Sequence, residues 1–185
     1  MPHNAPFPGP LTARSDFNVL EPRSVRPLLV FELADRLAAF PLGDVERVAP
    51  MAELACPPGL PPALEGVLNL AGVAIPVVRL DRLFALPAQR LGLYSMLVIL
   101  RAPSEGRLAV LVDRVSEILQ APESAFLPIG PEDSFNGCAE ATVAGRDGII
   151  HVLSPSRILL AKERAALSEF QTTAQRRLQA WEGQA

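Results

Sequence analysis

The sequence is poor in the residues that usually carry chemistry. Two cysteines, two histidines, one tryptophan and one tyrosine are spread over 185 residues. Cys56 and Cys138 stand far apart, so they do not read as the disulfide framework of a small secreted domain. His3, Cys56, Cys138 and His151 are isolated from one another, whereas a zinc site needs ligands at close spacing. No metal and no cofactor is therefore expected. The start of the chain lacks the basic residues and continuous apolar stretch of a secretory signal, which places the expected compartment in the reducing cytoplasm. The longest apolar run, Gly66 to Val78, is interrupted by Asn69 and Pro76 and falls short of the ~20 residues that cross a bilayer. Direct membrane insertion is not expected. An excess of positive charge is also missing: 17 Lys and Arg against 20 Asp and Glu leave a net charge of -3, with no broad attraction to nucleic acid.

Catalytic motifs are equally scarce. No Gly-rich phosphate loop with its Lys, no nucleophile elbow and no kinase signature occurs. Cys138 and His151 flank a hairpin and are the one pair from which a thiol and a base could be assembled. His151, however, alternates onto one face with Ile149 and Leu153, where a histidine ordinarily packs or sits at a rim. Carboxylates are scattered as solvated surface charges are. These absences describe a binding module rather than an enzyme.

What is present is apolar material, 49% of the chain, enough for one sizeable domain or two small ones sharing a core. Residues 1 to 26 hold Pro2, Pro6, Pro8, Pro10 and Pro22, a density that opposes helix and sheet alike and predicts a disordered tail. From Leu28 short apolar runs alternate with turn residues. Leu28 to Leu33 and Leu37 to Pro41 are joined by Ala34-Asp35-Arg36. Further candidate strands are Gly66 to Leu70, Val73 to Arg79, Ser95 to Leu100, Arg107 to Leu119, Cys138 to Ala144 and Ile149 to Leu153. Ala71-Gly72, Pro103 to Gly106 and Gly145 to Gly148 supply turn chemistry with Gly available for positive φ. Without helices between the strands, a parallel doubly wound sheet is excluded and a mainly β barrel or sandwich is predicted. Pro76 cannot donate to a ladder, so its strand is expected at an edge or a bulge, either a docking edge or a barrel corner.

The end of the chain changes character. Ser154-Pro155 reads as an N-cap and first turn, so a helix is predicted to start there. Leu167, Phe170, Ala174, Leu178 and Trp181 then recur at helical spacing opposite Glu169, Gln171, Gln175 and Arg176, an amphipathic pattern over a 161 to 185 extension. A capping box at Ser168 and Gln171 leaves open whether this is one helix or two. Whether the apolar stripe packs on the parent domain or recruits a partner also stays open.

Four segments in order carry a family resemblance: Leu29 to Leu33, Val45 to Val48, the central Glu65-Gly66-Val67-Leu68-Asn69-Leu70-Ala71-Gly72-Val73-Ala74-Ile75-Pro76-Val77-Val78, and Leu111 to Leu119. Over roughly residues 28 to 160 the chain resembles the CheW-like chemotaxis coupling proteins. The resemblance implies two intertwined SH3-like five-stranded β-barrel subdomains across residues 27 to 160. It further implies a non-catalytic adaptor that bridges the cytoplasmic tips of chemoreceptors to the regulatory domain of a CheA-type histidine kinase. Partner contacts are then expected at Val45, Arg47, Gly66, Asn69, Ala71, Gly72, Arg79, Asp81, Met96 and Ile118. Three departures from the family pattern stand out: Ala71 where Arg is usual, Arg79-Leu80-Asp81 where the order is Asp-Leu-Arg, and Arg47 where an acid is common. Together they imply a specialised pathway, since interface charge sets partner choice. An array module that has lost kinase binding is the competing reading.

Overall fold

The computed structural model describes residues 24–88, 91–102, 106–130, 134–159 and 161–182, and most of the proline-rich 1 to 26 stretch lies outside them. Ten strands are formed: β1 Val25–Leu33, β2 Arg36–Pro41, β3 Val45–Pro50, β4 Leu64–Leu70, β5 Val73–Arg79, β6 Met96–Ala102, β7 Gly106–Val112, β8 Arg114–Pro122, β9 Ala139–Ala144 and β10 Ile149–Leu153. Among the described residues two α-helices accompany them, a single turn α1 at Leu80–Leu83 and the long α2 at Ala161–Glu182. The strands make two five-stranded sheets, ordered β8-β1-β2-β10-β9 and β3-β6-β7-β5-β4. This is the mainly β, two-subdomain architecture that the resemblance implies. The chain opens the first sheet with β1 and β2, builds the whole of the second with β3 to β7, and returns to finish the first.

Why the central strands read as unbroken apolar runs follows from where their two faces go. Along β1, Leu29, Phe31 and Leu33 enter a core shared with the second sheet, whereas Leu28 and Val30 enter a core belonging to the first sheet. β7 repeats the pattern: Leu108, Val110 and Val112 join the shared core, and Ala109 and Leu111 face a core of the second sheet alone. A strand buried on both faces needs apolar side chains at every position. Leu28, Phe31 and Leu33 on β1 and Val110, Leu111 and Val112 on β7 are fully enclosed.

The candidate strand Arg107 to Leu119 is broken at Asp113 into β7 and β8, which lie in different sheets. Asp113 makes the crossing possible. Its backbone N–H donates to Glu32 O at 3.0 Å, and its carboxylate accepts from Ala34 N at 2.7 Å. Ala34 and Asp35 both take positive φ, as a two-residue hairpin turn requires, so the turn depends on the carboxylate brought from 79 residues away. Arg114 then pairs with Glu32. A second bridge between the subdomains is aromatic, with the Phe135 ring 5.2 Å from Phe84 and 5.0 Å from His151.

Three further expectations are resolved. Ser154-Pro155 begins only a short 3-10 turn at Pro155–Arg157, with no side-chain cap from Ser154, and the α-helix starts later, at Ala161. α2 is a single helix: Ser168 lies inside it, and Gln171 leaves the expected capping box to bond β5. Pro76 lies not on an edge strand but between β4 and β7 in the ladder. It is accommodated because β7 accompanies β5 only from Val77 to Arg79, leaving the missing N–H at Pro76 without a strand to donate to.

Gly66 is fixed by close approach rather than by a turn. Residues 54 and 55 cross over β4, where Ala55 and Val67 exchange two backbone hydrogen bonds of 2.9 Å. A Cβ at Gly66 would stand 2.7 Å from Leu54 Cβ and 3.0 Å from Ala55 O. Gly66→Ala is therefore expected to lower stability by about 1 to 3 kcal/mol, the usual cost of overpacking. Thermal denaturation measures this, and an unchanged midpoint would show that the crossing segment yields freely.

Candidate partner-binding surface

The β4–β5 hairpin carries the centre of the motif. Its turn, Ala71 at φ 51 and Gly72 at φ 80, is the left-handed pair whose twist matches a tight hairpin. Asn69 fixes it by accepting a 2.9 Å hydrogen bond from Gly72 N to Oδ1. Asn69 and Ala71 are exposed at the tip, so four expected site residues, Gly66, Asn69, Ala71 and Gly72, belong to one hairpin, with Gly66 buried beneath it.

Arg79 and Asp81, read from the sequence as altered surface charges, are buried instead. Arg79 retains 6% of its exposure and Asp81 2%. The guanidinium grips Asp81 through Nε at 2.8 Å and Nη2 at 2.6 Å, and Nη1 reaches Glu65 at 3.3 Å. Arg82 closes the cluster on Glu65 at 2.6 Å and donates to the carbonyls of Leu64 and Pro62. The hydrogen bonds that Arg79 donates to the Asp81 carboxylate hold its pKa above the ordinary value, so the group stays charged at any working pH. The exchange of both charges relative to the family order preserves the attraction between them. It is a buried pair turned end for end, and partner choice cannot act through it while the corner is folded.

The other expected residues fall elsewhere. Val45 and Arg47 lie on β3, an edge strand, either side of a bulge that turns Arg47 outward. Among the described residues the Arg47 side chain makes no ion pair. Met96, half-buried, opens β6 opposite Pro50 at the end of β3. Ile118 is on β8, an edge of the other sheet, and is 54% exposed. β3 and β4 are the two outer strands of one ladder, so Arg47 and Ala71 mark its opposite edges.

Sequence reasoning missed two glutamines. Asn69 and Ala74 face each other across the hairpin, and Ala74 turns its backbone groups away from β4. With β7 not yet alongside, α2 fills the gap: Gln175 Oε1 accepts from Ala74 N at 2.9 Å, Gln175 Nε2 donates to Gly72 O at 2.9 Å, and Gln171 Nε2 donates to Ala74 O at 3.3 Å. Gln171 and Gln175 thus belong to the inward stripe with Phe170 and Ala174, not to the solvent face assigned to them from polarity. Of the expected stripe, the side chains of Leu167, Leu178 and Trp181 lie outside the described residues. The i, i+4 spacing of the glutamines beside Phe170 and Ala174 was the available signal.

Cys138 and His151 are not brought together. His151 pairs across the hairpin with Thr142, four residues and about 13 Å along the strand from Cys138. The thiol donates to Arg157 O at 2.8 Å, and His151 Nδ1 lies 3.3 Å from Leu37 O. Among the described residues no three His, Cys, Asp or Glu side chains gather as a metal site, and no helix is long and apolar enough to cross a membrane.

Two five-stranded sheets sharing a core leave an exposed hairpin and edge strands at the surface. The family model described as CheW-like domain matches residues 27–163, and the chain belongs to that family of non-catalytic scaffold proteins. It is 26% identical over 132 residues to the chemotaxis protein CheW of Thermotoga maritima, covering 71% of this chain and 86% of that one. The crystal structure of the scaffolding protein TtCheW from Thermoanaerobacter tengcongensis shares the fold, with a TM-score of 0.70 at 23% identity over 76% of this chain and 91% of that one.

Removing one partner of the buried corner should be costly. Arg79→Ala takes the guanidinium away from buried Asp81 and is expected to lower stability by about 3 to 5 kcal/mol, whereas Arg79→Asp with Asp81→Arg should recover part of the loss. Urea unfolding of the three proteins tests this, and wild-type stability in Arg79→Ala would return the pair to the surface.

Proposed function

We propose that this chain couples the cytoplasmic tips of chemoreceptors to the regulatory domain of a CheA-type histidine kinase, in a specialised chemosensory array reached through protein contacts. The family match across residues 27–163 supports this reading most directly. Edge strand β3 with outward Arg47 and the exposed Asn69 to Gly72 hairpin support it geometrically, because both offer surface that folding does not use. Signal passes by contact, since an adaptor changes a kinase only by binding its states unequally. Arg47 and Ala71 remain the residues proposed to select the partner, and Arg79 and Asp81 leave that set because they are buried.

Arg47→Glu with Ala71→Arg should shift stability by under ~1 kcal/mol, both sites being exposed. Binding should respond more: attachment to the chain's own receptor or kinase weakens, and attachment to a general chemotaxis receptor improves. Titrations of wild type and double variant against both partners at low and moderate salt measure the difference. Equal affinities in all combinations would remove the specialised pathway, and receptor binding without kinase binding would make the chain an array module.

A further inference from the structure

Ala71 stands at φ 51, a left-handed conformation that a residue with a Cβ keeps only when its surroundings hold it there. The hold acts through its neighbour. Gly72 is gripped on both of its backbone groups: its N–H donates to Asn69 Oδ1 at 2.9 Å, and its carbonyl accepts from Gln175 Nε2 at 2.9 Å. The first grip is local to the turn, whereas the second comes from α2, which lies almost wholly beyond the matched residues 27–163. The same Gln175 amide accepts from Ala74 N at 2.9 Å, so one side chain spans two backbone groups of β5 as the peptide of a neighbouring strand would. Gln171 Nε2 adds a bond of 3.3 Å to Ala74 O. Four residues apart, the two glutamines share one face of α2 with Phe170, which packs against the core between the sheets. Gln179, four residues further on, is exposed.

We propose that α2 is an intramolecular brace for the β4–β5 hairpin and that Gln171 and Gln175 are positioning residues for partner contact, keeping the exposed Asn69 to Gly72 tip in one conformation before a partner meets it. The proposal rests on the adaptor reading and adds to it a cause of affinity that lies outside the contact surface. The stretch of β5 that β7 leaves open is occupied in cis, by α2 of the same chain. With the glutamines removed, Gly72 O and both backbone groups of Ala74 turn to water, and Asn69 alone is left to hold Ala71 in its left-handed state. The tip then samples other turns. A partner has to restore the bound one at an entropic cost, so affinity falls although no residue in the contact has changed.

Amide hydrogen exchange of the full chain reads the tip with no partner present. In Gln171→Ala/Gln175→Ala the Gly72 amide, whose own acceptor is Asn69 and not α2, is expected to exchange about tenfold faster or more. Gln179→Ala, the same change at an exposed position, should exchange as the wild type does. Alanine is the better helix former, so α2 keeps its helix in these variants. Gln175→Glu separates positioning from mere attachment: the carboxylate still accepts from Ala74 N but has no proton to donate to Gly72 O. Ala74 should therefore stay protected while Gly72 does not, a split that a detached helix does not produce. Coupling is read as recovery of the kinase on receptor signalling tips while the chain is titrated in. Its midpoint should rise about threefold or more in Gln171→Ala/Gln175→Ala and stay put in Gln179→Ala. Wild-type exchange at Gly72 in the double variant overturns the brace, as does faster exchange with an unmoved midpoint, and either result leaves the adaptor reading standing. A wild-type chain that recovers no kinase, while its Gly72 amide still responds to the glutamines, overturns the adaptor reading and with it the role of the brace in partner contact.

Discussion

The structure depends on burial of both faces of its central strands. β1, β6 and β7 each send alternate side chains into the core of their own sheet and into the core between the sheets. The three cores are therefore not separable, since Phe31 and Val110 hold the subdomains together on one face while Val30 and Ala109 hold each sheet on the other. Function follows from what this arrangement leaves over. The centres of the sheets are fully committed to packing, so only edges, turns and the helix are free to meet another protein.

The hairpin, the buried corner and α2 form a graded series around β5. At its tip Asn69 orders a turn that is otherwise exposed. At its base the buried pair Arg79 and Asp81 is tied to half-buried Glu65, which exposed Arg82 closes from outside. Along its middle, glutamine side chains stand in for a missing strand. Rigid support at the base and a surface shaped from outside the domain are what a selective contact needs, because order in the free protein lowers the entropy lost on binding.

Much of this was legible in the sequence, and the failures have physical causes. Apolar runs at Leu28 to Leu33 and Ser95 to Leu100 disclosed strands, though not that both their faces are buried, and Ala71-Gly72 disclosed its turn. Asp113 was opaque because the apolar pattern continues past it: nothing local says that Val112 and Val115 belong to different sheets. Arg79 and Asp81 were taken for surface because charge is ordinarily solvated, and only the fold shows each satisfying the other. Gln171 and Gln175 were assigned to solvent for the same reason, since the open stretch of β5 that needs them lies about 100 residues away.

The return of the chain through Asp113 also bears on how the protein is made. β1 and β2 leave the ribosome first, but their partners β8 and β10 follow only after the entire second sheet. From Leu33 to Arg114 the gap is about 80 residues, which at ~5 to 20 residues per second amounts to roughly 4 to 16 s of synthesis. During that interval the hairpin has two apolar faces, two open edges and a turn still lacking its carboxylate. The nascent chain is thus obliged to carry an adhesive ribbon for seconds before it can close, a hazard set by topology rather than by the stability of the finished fold.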